Sequence, residues 1–80
     1  MKPLLYVKGG CPWCSDAIDY LDERKIEYTR IDVRGDAAQM QKLKDISGQS
    51  KTPTLDWDGA VLANFGVEEL ETFLQKRSAS

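Results

Sequence analysis

The chain has no histidine and only two cysteines, so one molecule alone cannot supply the four nitrogen or sulfur ligands of a structural zinc site. It has no apolar stretch approaching the ~20 residues of a membrane-spanning helix. Its N-terminus carries one lysine and then strand-like residues, without the apolar core and small-residue cleavage site of a secretory leader. Nor is there an excess of basic residues. Eleven Lys and Arg against thirteen Asp and Glu give a net charge of −2, and the basic residues are scattered rather than striped, which leaves nucleic-acid binding without support. Repeats, low-complexity tracts and interdomain linkers are lacking too. What remains is one expected domain over residues 1–80, a cytoplasmic monomer with no resident metal.

Against that background the two cysteines stand close together, as Cys11-Pro12-Trp13-Cys14. They follow the apolar run Leu4-Leu5-Tyr6-Val7 and a Gly9-Gly10 turn, at the point where an amphipathic helix begins. A thiol there meets unpaired backbone N–H groups and the positive end of a helix dipole, and both favour thiolate. Two other readings compete. As a structural staple, a bridge across so short a loop removes little chain entropy. A metal site would need a second molecule or an added thiol ligand. In a cytosolic protein a close pair of thiols points to redox chemistry.

The rest of the chain reads as β-α-β-α-β-β-α. Leu4 to Lys8 is a strand buried on both faces. Pro12 suits the first helical turn, and Cys14, Ala17, Ile18 and Leu21 fall on one helical stripe, making Cys14 the buried thiol and Cys11 the exposed one. Glu27 to Val33 is a second strand, with Thr29, Ile31 and Val33 on one face and Tyr28, Arg30 and Asp32 on the other. Gly35-Asp36 caps a helix that turns Met40, Leu43 and Ile46 inward and stops near Gly48. Thr54 to Asp58 and Ala60 to Asn64 form a hairpin around Asp58-Gly59. A last helix starts near Val67 with Leu70, Phe73 and Leu74 inward, and Gln75 to Ser80 is expected to be a frayed polar tail.

With these residues in place, the chain resembles a glutaredoxin from Leu4 to about Arg77. Cys11-Pro12-Trp13-Cys14 is similar to the family's Cys-Pro-Tyr-Cys, Lys8 stands where the family keeps a lysine, and Ser47-Gly48-Gln49 with Thr52-Pro53 resembles the loop ending in the family's cis-proline. The resemblance implies an α/β thioredoxin-like fold, a four-stranded mixed sheet flanked by three helices. It implies a thiol-disulfide oxidoreductase that reduces protein disulfides or glutathione mixed disulfides, with Cys11 as nucleophile and Cys14 as resolving thiol. Carried over residue by residue, it makes Lys8, Trp13, Thr52, Pro53, Gly66, Val67 and Glu68 the residues that meet glutathione or a substrate, with glutathione as reductant or co-substrate.

The chain also departs from the family. Lys51-Thr52-Pro53 stands in place of Thr-Val-Pro. Phe65-Gly66-Val67-Glu68-Glu69 replaces a Gly-Gly pair followed by an aspartate. These differences keep a second reading open, a redoxin recharged by thioredoxin reductase and donating electrons to ribonucleotide reductase. A third, lower-ranked reading is a carrier of a [2Fe–2S] cluster held between two molecules by Cys11 and glutathione.

Overall fold

The computed structural model describes residues 2–79. Its elements are β1 (Leu4–Val7), α1 (Pro12–Glu23), β2 (Thr29–Asp32), α2 (Ala37–Ser47), β3 (Thr54–Trp57), β4 (Ala60–Ala63) and α3 (Val67–Ala79). The order is the expected one. The strands form one sheet, β2-β1-β3-β4. β1 pairs parallel to β2, Leu4 opposite Thr29, and antiparallel to β3, Leu5 opposite Leu55; β3 and β4 form an antiparallel hairpin.

Alternation along β1 divides the core. Leu5 and Val7 face one side of the sheet, where Cys14, Ala17, Tyr20 and Leu21 of α1, Leu70 of α3 and Phe65 close over them. Tyr6 faces the other side, against Val33 and Leu43, with Met40 and Ile46 of α2 beside them. β1 is thus buried on both faces, its last three residues at most 5% exposed, as a central strand between helical layers requires.

Local signals set the joints. Asp36 caps α2, its side chain accepting the Gln39 N–H at 3.1 Å, and Gly48 ends the helix in the left-handed region, φ 71°. Asp58 and Gly59 both have positive φ, 53° and 89°, the backbone of a tight hairpin turn with the right twist for its strands.

Four boundaries and packing expectations are corrected. β1 ends at Val7, and β2 covers only Thr29–Asp32. On α1, Tyr20 is buried while Ile18 is half-buried; the Arg24 guanidinium lies 3.5 Å above the Tyr20 ring and covers it. The expected tail is helical through Ala79. The Arg77 guanidinium stacks over Trp57 at 4.5 Å, donates to the Trp57 carbonyl at 3.4 Å and meets Asp58 at 4.0 Å, so the last turns are tied to the hairpin. Ser80 lies outside the described residues.

Candidate active site at the start of α1

β1, a central strand, ends at Val7, and the Gly9-Gly10 turn delivers the chain to α1. Gly10 takes φ +82°, and Arg34 reaches from beyond β2 to donate Nη1 to the Gly9 carbonyl at 3.1 Å. Arg34 is in turn steadied by Asp32, which accepts its backbone N–H at 2.8 Å. The turn before the first thiol is therefore fastened to the neighbouring strand.

Cys11 is the N-cap of α1. Its sulfur accepts the Cys14 N–H at 3.3 Å, and Pro12 occupies the first helical position. The geometry is that of a serine or aspartate cap with sulfur as the acceptor. The Cys11 thiol is half-buried and Cys14 is 3% exposed; both are free thiols. Burial by itself pushes the Cys11 thiol up, but hydrogen bonds from the Cys14 side chain and backbone, the Thr52 side chain and the Trp13 backbone outweigh it, leaving its pKa below the ordinary thiol value. Cys14 goes the other way. Burial raises it, and its hydrogen bond to Cys11 and the charge of that neighbour raise it further, against smaller opposing contacts from Thr52 and Lys8.

The Thr52–Pro53 bond is cis, and the Cys11 thiol lies 3.9 Å from the Thr52 carbonyl. Pro53 is buried. Lys8 is exposed, and its part in the site is through the backbone, its carbonyl accepting the Cys11 N–H at 3.2 Å. Trp13 is 53% exposed and shares an open cleft with Gly66, Val67 and Glu68. At the start of α3 the Gly66 N–H is already taken, donating to Glu69 Oε1 at 3.2 Å.

The structure thus gathers Cys11, Cys14, Thr52 and the Lys8 backbone around the thiols, and groups Trp13 with the start of α3. Three residues have supporting roles that the sequence reading did not assign. Gln49 braces the loop that carries Thr52, its Nε2 donating to Ser47 Oγ, Thr54 Oγ1 and the Lys51 carbonyl. Arg34 fastens the glycine turn. Phe65, read as a departure in a ligand-facing loop, is a core residue 1% exposed.

The family model for glutaredoxin matches residues 4–62. The chain belongs to the glutaredoxin family. A curated relative, the uncharacterized glutaredoxin-like 8.6 kDa protein in the rubredoxin operon of Clostridium pasteurianum, is 26% identical over 72 residues, 90% of this chain and 96% of that protein. A mutant of the thioredoxin-like protein BC3987 superposes with TM-score 0.83 at 33% identity, covering 91% of this chain and 99% of the other. The glutaredoxin from Archaeoglobus fulgidus gives 0.80 at 18% identity, over 91% of this chain and 85% of its own, a likeness of fold. This glutaredoxin-family chain has the thioredoxin-like architecture, and no helix among its described residues is long and apolar enough to cross a membrane.

Proposed function

We propose that the protein is a cytoplasmic dithiol oxidoreductase that reduces disulfides through Cys11 and Cys14. The observation that carries this reading is the opposite displacement of two neighbouring thiols. The half-buried one caps a helix and is biased to thiolate, while the buried one is biased to keep its proton. That division suits a nucleophile and a resolving group.

The Cys11 thiolate attacks one sulfur of a target disulfide. The target's S–S bond breaks, its departing thiolate takes a proton from water, and Cys11 is left in a mixed disulfide. Cys14 then loses its proton and attacks the Cys11 sulfur, expelling the second target thiolate. The target gains two electrons and the Cys11–Cys14 pair becomes a disulfide. Thr52 and Pro53 stand beside this exchange, and Trp13 offers an apolar face to the substrate. Glutathione thiols or a flavoprotein reductase return the two electrons. The Clostridium relative's place in a rubredoxin operon is consistent with a redox role.

Monothiol variants test the assignment. Cys14→Ser should form a stable mixed disulfide with a disulfide-bearing peptide, and Cys11→Ser should form none. The reverse pattern would exchange the two roles. Incubating the oxidised protein with glutathione alone, and then with a flavoprotein reductase, identifies the reductant.

A further inference from the structure

The cleft beside Trp13 carries charge of one sign. It is open, about 310 Å³, and lined by Trp13, Asp16, Gly66, Val67, Glu68 and Glu69. Trp13, the one large hydrophobic side chain exposed among the described residues, supplies an apolar wall. Every titratable side chain in the lining is a carboxylate, and none of the three is ion-paired among the described residues. Lys8 and Arg34, the cations nearest Cys11 in the chain and at the glycine turn, do not line it.

Glu69 alters what the start of α3 can accept. A helix N-terminus ordinarily draws an anion, but here the Gly66 N–H is satisfied by the chain's own carboxylate, in the manner of a capping box. The two Glu69 carboxylate oxygens lie 3.6 and 3.8 Å from the position a Gly66 Cβ would occupy. A second anion entering there would meet Glu69, with Asp16 and Glu68 alongside. A cation would meet three carboxylates and an exposed indole. Glu68 and Glu69 also line a second cleft of about 430 Å³ together with Leu62, Thr72, Phe73 and Lys76, so the all-carboxylate lining is confined to the cleft that holds Trp13.

Building on the dithiol reading, we infer that the substrate disulfide belongs to a protein segment with lysine or arginine next to its cysteine. The same rim selects against disulfides flanked by carboxylates, and glutathione, with two carboxylates to one ammonium, falls on the disfavoured side. Complementary charge acts mainly on encounter and register, so the selectivity is one of second-order rate.

The test uses three disulfide-bridged peptides that differ only in having Lys, Gln or Glu beside the cysteines. Each is reduced by the reduced protein in single turnover, with rates normalised to reduction by dithiothreitol. At low ionic strength the Lys peptide should react about tenfold faster than the Glu peptide, and the two should converge near ~1 M salt. Asp16→Asn with Glu68→Gln should bring the ratio toward one, and Asp16→Lys with Glu68→Lys should invert it. The same charge change placed remotely, Glu23→Lys with Glu27→Lys, should leave most of the preference in place. Equal rates for all three peptides, or an equal effect of the remote pair, would overturn the inference alone. Failure to reduce any peptide would bring down the dithiol reading and the inference with it.

Discussion

Removing the Gln49 side chain should cost far more than its place in a surface loop suggests. Its Nε2 donates to Ser47 Oγ at 2.9 Å, to Thr54 Oγ1 at 3.1 Å and to the Lys51 carbonyl at 3.3 Å, and its Oε1 accepts the Lys51 N–H. Ser47 and Lys51 are at least partly open to water, which can replace what they lose. Thr54 is 0% exposed, and its own proton is committed to the Lys51 carbonyl at 2.8 Å. In Gln49→Ala the Thr54 oxygen keeps its donor bond but loses its buried donor partner. One buried group left short and three bonds traded for water amount to about 2 kcal/mol, which at this chain length lowers Tm by roughly 8–16 °C.

Because Thr52 lies between the braced residues Lys51 and Thr54, the same variant should slow alkylation of Cys11 at neutral pH. Gln49→Glu is the sharper control. A carboxylate cannot donate to Thr54 Oγ1, and it would face the Lys51 carbonyl, so this near-isosteric change should destabilise at least as much as alanine. Urea melts and iodoacetamide kinetics on the reduced protein check both effects. An alanine variant within about 0.5 kcal/mol of the parent, or a glutamate variant as stable as the parent, would refute the brace.

The two thiols should give the reduced protein a stability that rises and then falls with pH. Below the ordinary thiol pKa of ~8.5, folded Cys11 has released a proton that the unfolded chain still holds, so stability grows with pH there. Above that value folded Cys14 keeps a proton that the unfolded chain gives up, so stability declines. Urea melts across this range should show the peak, and Cys11→Ser should abolish the rise while leaving the fall. Phe65→Ala should cost about 3–5 kcal/mol through lost burial and a residual cavity; an equilibrium melt showing under ~1 kcal/mol would mean the ring is not in the core. Arg77→Ala should cost about 1 kcal/mol and speed amide exchange in the last turn of α3 and in the hairpin together. Unchanged exchange in both would show that the tie is not made.

How much of this was readable beforehand depended on the range of the interaction. Asp36, Gly48, Pro12 and the Asp58-Gly59 pair announce caps and turns because each acts within a few residues of backbone. Cys14 on the stripe with Ala17 and Leu21 gave the burial of the second thiol from helical periodicity alone. Tyr20 broke that pattern because Arg24, one helical turn on, covers its ring. The helical tail was hidden for a similar reason: Gln75 to Arg77 look polar, and only the fold brings Arg77 onto Trp57, twenty residues away. Arg34 and Gly9 are separated by 25 residues, and nothing local marks their bond. Gln49 carried a weak signal, an amide just ahead of an X-Pro step, and Glu69 a better one, since its spacing from Gly66 is that of a capping box.

One atom, the Cys11 sulfur, both begins a helix and takes part in electron transfer. As a thiolate it is an anionic acceptor for the Cys14 N–H; once bonded to another sulfur it carries no charge and is a far poorer acceptor. Each oxidation therefore withdraws support from the first turn of α1, a loss comparable to deleting a helix cap at ~0.5–2 kcal/mol. By reciprocity the bridged form is the one under tension, and every ~1.4 kcal/mol of that difference makes the couple ~30 mV more oxidising. The strength with which this chain accepts electrons is thus written partly in the stability of its first helix.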